Sequence, residues 1–202
     1  MNNEILYILL PNFAGHEMVY LMEAISSDDI ALKENPKYLN KIVAPTMDPV
    51  VGIGGYRVMP DYSFDNMPQD YSALVLIGGY GWATPVADQV EPIVRDAIVR
   101  GRIVGAICNA ASFMAKHGFV NNVSHTGNGP GQLRLWGGDR YTNPEGYASR
   151  QAVRDGNIVT ANGSATLEFA RELLLLLEND TPQRIELWYQ FNKRGFCALF
   201  QG

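Results

Sequence analysis

The chain predicts an α/β fold: a mostly parallel, doubly wound sheet with helices on both faces. Three observations carry this prediction. The runs Ile5–Leu10, Ala73–Ile77 and Ile103–Ile107 are continuously apolar, as strands buried on both faces should be. Segments with apolar residues at helical spacing alternate with them. The chain has 202 residues, 47% hydrophobic and 18% charged, enough for one well-buried domain and too few for two. A single domain over residues 1–202 is expected.

Ile5–Leu10 is bounded by Pro11-Asn12, and a helix is expected over Gly15–Ser26, with Met18, Leu21, Met22 and Ile25 at helical spacing. Tyr38–Ala44 reads as a second strand. The Gly- and Pro-rich stretch Pro49–Phe64 reads as a pair of short strands around Gly54-Gly55. After Ala73–Ile77 and Gly78-Gly79, Val86–Arg100 is expected to be helical, with Val90, Val94 and Ala97 on one face and Arg95, Asp96 and Arg100 opposite. The strand Arg102–Ile107 leads into a helix over Asn109–Lys116, closed by Gly118, with His117 a structural residue at its negative end. Asn121–Gly138 is loop-rich, with a short helix at Gln132–Trp136. Ala148–Val153 and Asn157–Ala161 read as strands around the turn Arg154-Asp155-Gly156. Ser164 reads as the cap of a helix running to Glu178, and Thr181-Pro182 opens a last helix with Ile185, Leu187, Trp188 and Phe191.

Composition excludes several classes of function. A net charge of −5 leaves no basic stripe for a nucleic-acid backbone. No run is long enough for a membrane span, and Ile5–Leu10 lacks the basic flank and cleavage site of a secretory signal. Cys108 and Cys197 lie in unrelated contexts, so a disulfide is not expected and a reducing, cytoplasmic setting is preferred. No His, Cys and carboxylate cluster has metal-ligand spacing, no phosphate-cradling GxxxxGK loop occurs, and Gly52-Ile53-Gly54-Gly55 precedes no helix. No metal or cofactor is expected, and a small molecule is the expected partner.

Cys108 carries the strongest chemical signal. It stands where an apolar strand turns into a helix, between the small residues Gly105, Ala106, Ala110 and Ala111, as in a nucleophile elbow. The positive end of the helix should favour its thiolate. A lone cysteine at a strand end is often only a small core residue. Gly78-Gly79 at a neighbouring strand end favours the reactive reading, because their amides, with that of Asn109, could bind an oxyanion. Glu17 follows the first strand; a carboxyl at a helix N-terminus is by default a dipole-stabilising surface residue, and the sharper reading sets it at the same sheet edge as Cys108, within hydrogen-bond reach. The two would then share protons, and Glu17, if it keeps the proton, holds the sulfur ionised. His125 lies in the polar loop after the Cys108 helix, where a histidine is more often solvated than catalytic, although that loop could fold back over the sulfur. His16 reads as a rim residue.

Taken together, Glu17, Gly78-Gly79, the Ala106-Ile107-Cys108 elbow, His125 and Thr160–Ala165 resemble the ThiJ/PfpI family of the class I glutamine amidotransferase-like superfamily. The resemblance runs from Ile5 to about Glu178, and Val123–Asn128 with the Thr181-Pro182 tail is most similar to the YdeA-type branch. It implies a flavodoxin-like three-layer sandwich. It places Cys108 as nucleophile, Glu17 as its acidic partner, Gly79 and Asn109 as oxyanion amides and His125 as base. It also implies a homodimer, with Phe13, Met18 and Tyr20 near the contact. Asn109 stands where the protease branch carries histidine, and the His-x-Glu arrangement of the amidotransferases is missing. Both departures count against proteolysis and glutamine hydrolysis.

Three functions remain open at this level. The first is a cysteine-dependent hydrolase or lyase acting on a small amide or reactive aldehyde. The second is a redox or stress-response protein whose Cys108 is oxidised without turnover. The third is a scaffold using Phe64, Tyr80, Trp82 and Trp136 as an interaction surface.

Overall fold

The structure, a computed structural model, describes residues 3–27 and 33–200. Strand β1 (Glu4–Ile8) is buried along its whole length. It pairs in parallel with β2 (Leu39–Ala44) on one side and β6 (Ala73–Leu76) on the other. Strand β7 (Ile103–Ile107) pairs in parallel with β6 and with β9 (Ile158–Ala161). The short β5 (Tyr62–Ser63) extends the sheet beyond β2, and β8 (Ala152–Asp155) closes the other edge antiparallel to β9. The order β5-β2-β1-β6-β7-β9-β8 sets β1, β6 and β7 side by side.

Alternation along β1 divides the core into two layers, because successive side chains leave a strand on opposite faces. Ile5, Tyr7 and Leu9 pack with α1 (His16–Ser26) and α5 (Thr166–Leu176), through residues such as Leu21 and Phe169. Leu6, Ile8 and Leu10 pack with α2 (Glu91–Val99) and α3 (Asn109–Lys116), through residues such as Val94 and Phe113. Helices on both faces of a mostly parallel sheet make the flavodoxin-like α/β sandwich. The polar atoms of large buried side chains are paired: Tyr7 Oη donates to Asn40 Oδ1 at 2.8 Å, and Trp82 Nε1 donates to the Ile77 carbonyl at 2.6 Å.

Several elements differ from their expected bounds, each for a local reason. Pro49–Phe64 contains three short strands: β3 (Val50–Val51) and β4 (Arg57–Val58) form a hairpin, and β5 joins the main sheet. The helix expected over Val86–Arg100 is divided into a 3₁₀ segment, Pro85–Val90, and α2. Pro92 has no N–H to continue a helical ladder through this point. Helix α4 (Pro130–Gly137) begins two residues before the expected start. Strand β8 runs on to Asp155 opposite Ile158, so the turn is Gly156-Asn157, with Gly156 at φ +55°. Ser164 does not cap α5. Its amide and hydroxyl both donate to Asn162 Oδ1, and Ala165 holds the capping position. Helix α6 (Pro182–Arg194) starts as expected behind Thr181, whose side chain accepts from the Arg184 amide, and α7 (Phe196–Phe200) follows.

Between β7 and α3, Cys108 is held at φ 61°, ψ −126°. Hydrogen bonds on both sides fix it: its N–H donates to the Ala161 carbonyl at 2.9 Å, and its carbonyl accepts from the Ala111 amide at 3.1 Å. Such a backbone costs a residue with a Cβ about 1–3 kcal/mol. Cys108→Gly should therefore be more stable than Cys108→Ala by about 1–3 kcal/mol in urea unfolding, whereas equal stabilities would show an unstrained elbow. Phe169→Ala, which empties a fully buried site between α5 and the sheet, should cost about 3–5 kcal/mol. That corresponds to a melting temperature lower by about 6–20 °C in a thermal scan.

Candidate functional site

The carboxyl ends of β1, β6 and β7 deliver the three parts of the site to one edge. After β1, Phe13 forms an antiparallel bridge with Gly79, and Ala14 donates its amide to the Gly78 carbonyl at 2.9 Å. This pins the start of α1 against the end of β6 and brings Glu17, in the first turn of α1, to the elbow beyond β7. Glu17 is only 3% exposed. Its Oε2 accepts from the Gly78 N–H at 2.7 Å, and its carboxyl is hydrogen-bonded to Cys108.

Two glycines leave room for this pair. A Cβ on Gly78 would lie 2.5 Å from both the Cys108 Cβ and Glu17 Oε2. A Cβ on Gly163, in the β9–α5 connection, would lie 2.9 Å from Cys108 Sγ and 3.4 Å from Glu17 Oε1. No local signal in Thr160–Ala165 marks Gly163 as a site residue, because only the pairing of β9 with β7 brings it to the sulfur.

Burial pushes the Glu17 carboxyl above its ordinary range, while hydrogen bonds from Cys108 and Gly78 and the charge of His16 oppose this. The Cys108 thiol is also displaced upward, first by burial and then by the negative charge of Glu17, against hydrogen bonds from Asn128 and the Asn109 amide. This corrects the expectation that the helix end alone would favour the thiolate. Desolvation and a neighbouring carboxylate both disfavour a second negative charge. In contact, each group's charge raises the other's affinity for a proton.

The expected oxyanion amides fall into two kinds. The Gly78 N–H is already bonded to Glu17, so Gly78 positions the acid and is not free for an oxyanion. The Gly79 N–H has no partner among the described residues, and Gly79 adopts φ 134°, ψ −175°. Asn109 opens α3, so its amide has no intrahelical acceptor and is turned to the Cys108 sulfur, where an adduct oxygen on that sulfur's carbon would also lie. Its side chain also ties the two strand ends together: Nδ2 donates to the Gly79 carbonyl at 3.0 Å, and Oδ1 accepts from Gln132 Nε2 at 2.8 Å.

The structure does not bring His125 to the sulfur. His125 is fully buried, with Nδ1 2.9 Å from the Val123 carbonyl and Nε2 2.6 Å from Tyr141 Oη. Both nitrogens are occupied, and burial lowers the imidazole's affinity for a proton. The loop does return over Cys108, but it delivers Asn128, whose Nδ2 lies 3.3 Å from Sγ. Sequence order within Val123–Asn128 does not tell which loop residue turns inward, so nothing local marks Asn128 as the one that meets the sulfur.

Other expectations are resolved by burial. His16 is exposed at the rim. Phe13 and Met18 are core residues, and Tyr20 stacks edge-on against Trp188, so none of the three is a free contact surface. Exposed apolar side chains on α1 and on the segment 50–59 include Val19, Val51, Ile53, Tyr56 and Met59. Trp82 is 1% exposed and packs on Phe113, which removes it from any interaction surface. Both cysteines are unpaired. Among the described residues, no group of three His, Cys, Asp or Glu is arranged to hold a metal, and no helix is long and apolar enough to cross a membrane.

Known proteins are similar to this chain in sequence and in fold. The DJ-1/PfpI family model matches residues 3–176. The chain is 35% identical over 193 residues to the uncharacterized protease YdeA of Bacillus subtilis, covering 95% of this chain and 91% of YdeA. Among solved structures, the DJ-1 superfamily protein Atu0886 of Agrobacterium tumefaciens is 32% identical with a TM-score of 0.83, covering 96% of this chain and 99% of that one. A thiJ/pfpI family protein of Bacillus anthracis is 27% identical with a TM-score of 0.88, covering 99% and 94%. With its elbow cysteine, its buried glutamate and matches along nearly its whole length, the chain belongs to the DJ-1/PfpI family.

Proposed function

We propose that this chain is a cysteine-dependent enzyme acting on a small carbonyl compound, with the aldehyde class favoured over amides. Cys108 is the nucleophile, Glu17 carries the proton, and the amides of Gly79 and Asn109 receive the oxyanion. The observation behind this reading is the hydrogen bond between Cys108 and a buried Glu17 at the carboxyl ends of the strands. As sulfur attacks an aldehyde carbon, a C–S bond forms and the carbonyl π bond breaks. The proton that left the thiol for Glu17 then passes to the new alkoxide, giving a hemithioacetal. That sequence needs one proton carrier. Amide cleavage also needs an acid for the departing amine and a base for water, and His125 is committed to Val123 and Tyr141.

A second reading, a redox or stress-response role, draws on the same geometry. Hydrogen peroxide would oxidise the thiolate stepwise to a sulfinate, releasing water at each step, and the Asn128 amide and protonated Glu17 would bind its oxygens. The wider reading includes one domain over residues 1–202, a cytoplasmic setting, no metal or cofactor, and a homodimer in which Val19, Ile53, Tyr56 and Met59 supply apolar surface.

Methylglyoxal consumption should be abolished by Cys108→Ala and reduced about 10²–10⁴-fold by Glu17→Gln. Its pH profile should be bell-shaped. At low pH thiol and carboxyl are both protonated and no nucleophile exists; at high pH both are ionised and no proton remains for the alkoxide. Activity retained in Cys108→Ala removes the covalent mechanism. An inactive wild type whose Cys108 gains two oxygens in dilute peroxide favours the redox reading.

A further inference from the structure

The orientation of the Asn128 carboxamide is set by its neighbours. Its Oδ1 accepts from the Gly163 N–H at 2.9 Å, so Nδ2 faces the opposite side, 3.3 Å from Cys108 Sγ and 3.4 Å from Asn109 Oδ1. The flipped amide would set a donor against the Gly163 donor and an acceptor against both sulfur and Asn109 Oδ1. The absence of a Cβ on Gly163 lets its N–H reach Asn128 without a side chain displacing the sulfur. From α4, Gln132 fixes Asn109 Oδ1, the second acceptor for Asn128. Every part of this chain aims an uncharged N–H at Cys108.

We propose that Asn128 is a positioning residue that favours the ionised sulfur of Cys108, filling the place beside it that His125 does not occupy. The proposal rests on Cys108 being the reactive group of the site. A hydrogen-bond donor binds a thiolate more strongly than a thiol. A carboxamide does so at every pH, because it neither gains nor loses a proton in the working range. Of the groups packed around the sulfur, Glu17 from α1 is the ionisable one, and His16 acts on Glu17 in turn. The β9–α5 connection contributes Gly163, and α3 and α4 contribute Asn109 and Gln132, none of which titrates. Asn128 therefore opposes the two influences that raise the thiol, burial and the Glu17 charge, without adding a titration step of its own.

The test is the rate of alkylation of Cys108 by iodoacetamide as a function of pH, followed by peptide mass spectrometry, with exposed Cys197 as an internal reference. In Asn128→Leu, similar in size but without a donor, the midpoint should move up by about one pH unit, or about tenfold less thiolate near neutrality. The rate at Cys197 should not change. An unmoved midpoint in a folded Asn128→Leu protein overturns the proposal and leaves Asn128 as a latch for Gly163. If that variant does not fold, Asn128→Asp keeps the acceptor for Gly163 while replacing the donor with a charge; an upward shift larger than one unit is expected, and no shift overturns the proposal. A wild-type midpoint above that of Cys197, raised further in Asn128→Leu, supports the role of Asn128 while removing the nucleophile from the proposed function.

Discussion

A buried carboxyl and a half-buried thiol, in contact and facing a shortage of water, must settle where one proton resides. That constraint organises the edge of the sheet. Glu17 loses hydration where α1 begins, and the Gly78 N–H replaces part of it. Gly78 and Gly163 keep side chains out of the space that the pair fills. Cys108 takes a backbone conformation that most residues avoid, and in doing so its sulfur meets the carboxyl. Separating the two groups would leave a buried carboxyl with one hydrogen bond and a sulfur with no acid.

The sheet supplies the rigidity that this arrangement requires. β1, β6 and β7 are adjacent, parallel and packed on both faces, so their carboxyl ends stay in register. The site is built just beyond those ends, where open α/β sheets bind ligands. Two ties then cross between strand ends. The Phe13–Gly79 bridge joins the first to the second, and the Asn109 side chain joins the third to the second through the Gly79 carbonyl. A histidine at position 109, as in the protease branch of the ThiJ/PfpI family, would replace the carboxamide that makes the second tie and receives Gln132.

Much of this was readable from the chain, because the physics involved is local. Buried parallel strands demand unbroken apolar runs, and an elbow demands small residues around its apex; Ile5–Leu10, Ala73–Ile77 and Gly105–Ala111 display both. What escaped depends on long-range placement. Gly163 becomes part of the site only when β9 pairs with β7. Asn128 and His125 are three residues apart on one loop, and which of them turns toward Cys108 is decided by Tyr141 and Val123 capturing the imidazole. Ser164 has the residue type of a cap, but Asn162, two residues away, takes its amide and hydroxyl. Pro92, by contrast, was a local signal that the apolar periodicity around it concealed.

The direct test of the shared proton reads both partners at once, in a Cys197→Ser background that leaves one thiol. Thiolate absorbance in the ultraviolet reports Cys108, and the infrared carbonyl stretch of a protonated carboxyl, assigned by its loss in Glu17→Gln, reports Glu17. The account predicts that the two titrations are linked: the Glu17 carbonyl stretch persists above the ordinary carboxyl range, and thiolate absorbance appears at lower pH in Glu17→Gln than in the wild type, because a neutral neighbour no longer opposes the second charge. A Glu17 that ionises in the ordinary carboxyl range, with a thiolate curve unmoved in Glu17→Gln, would contradict it.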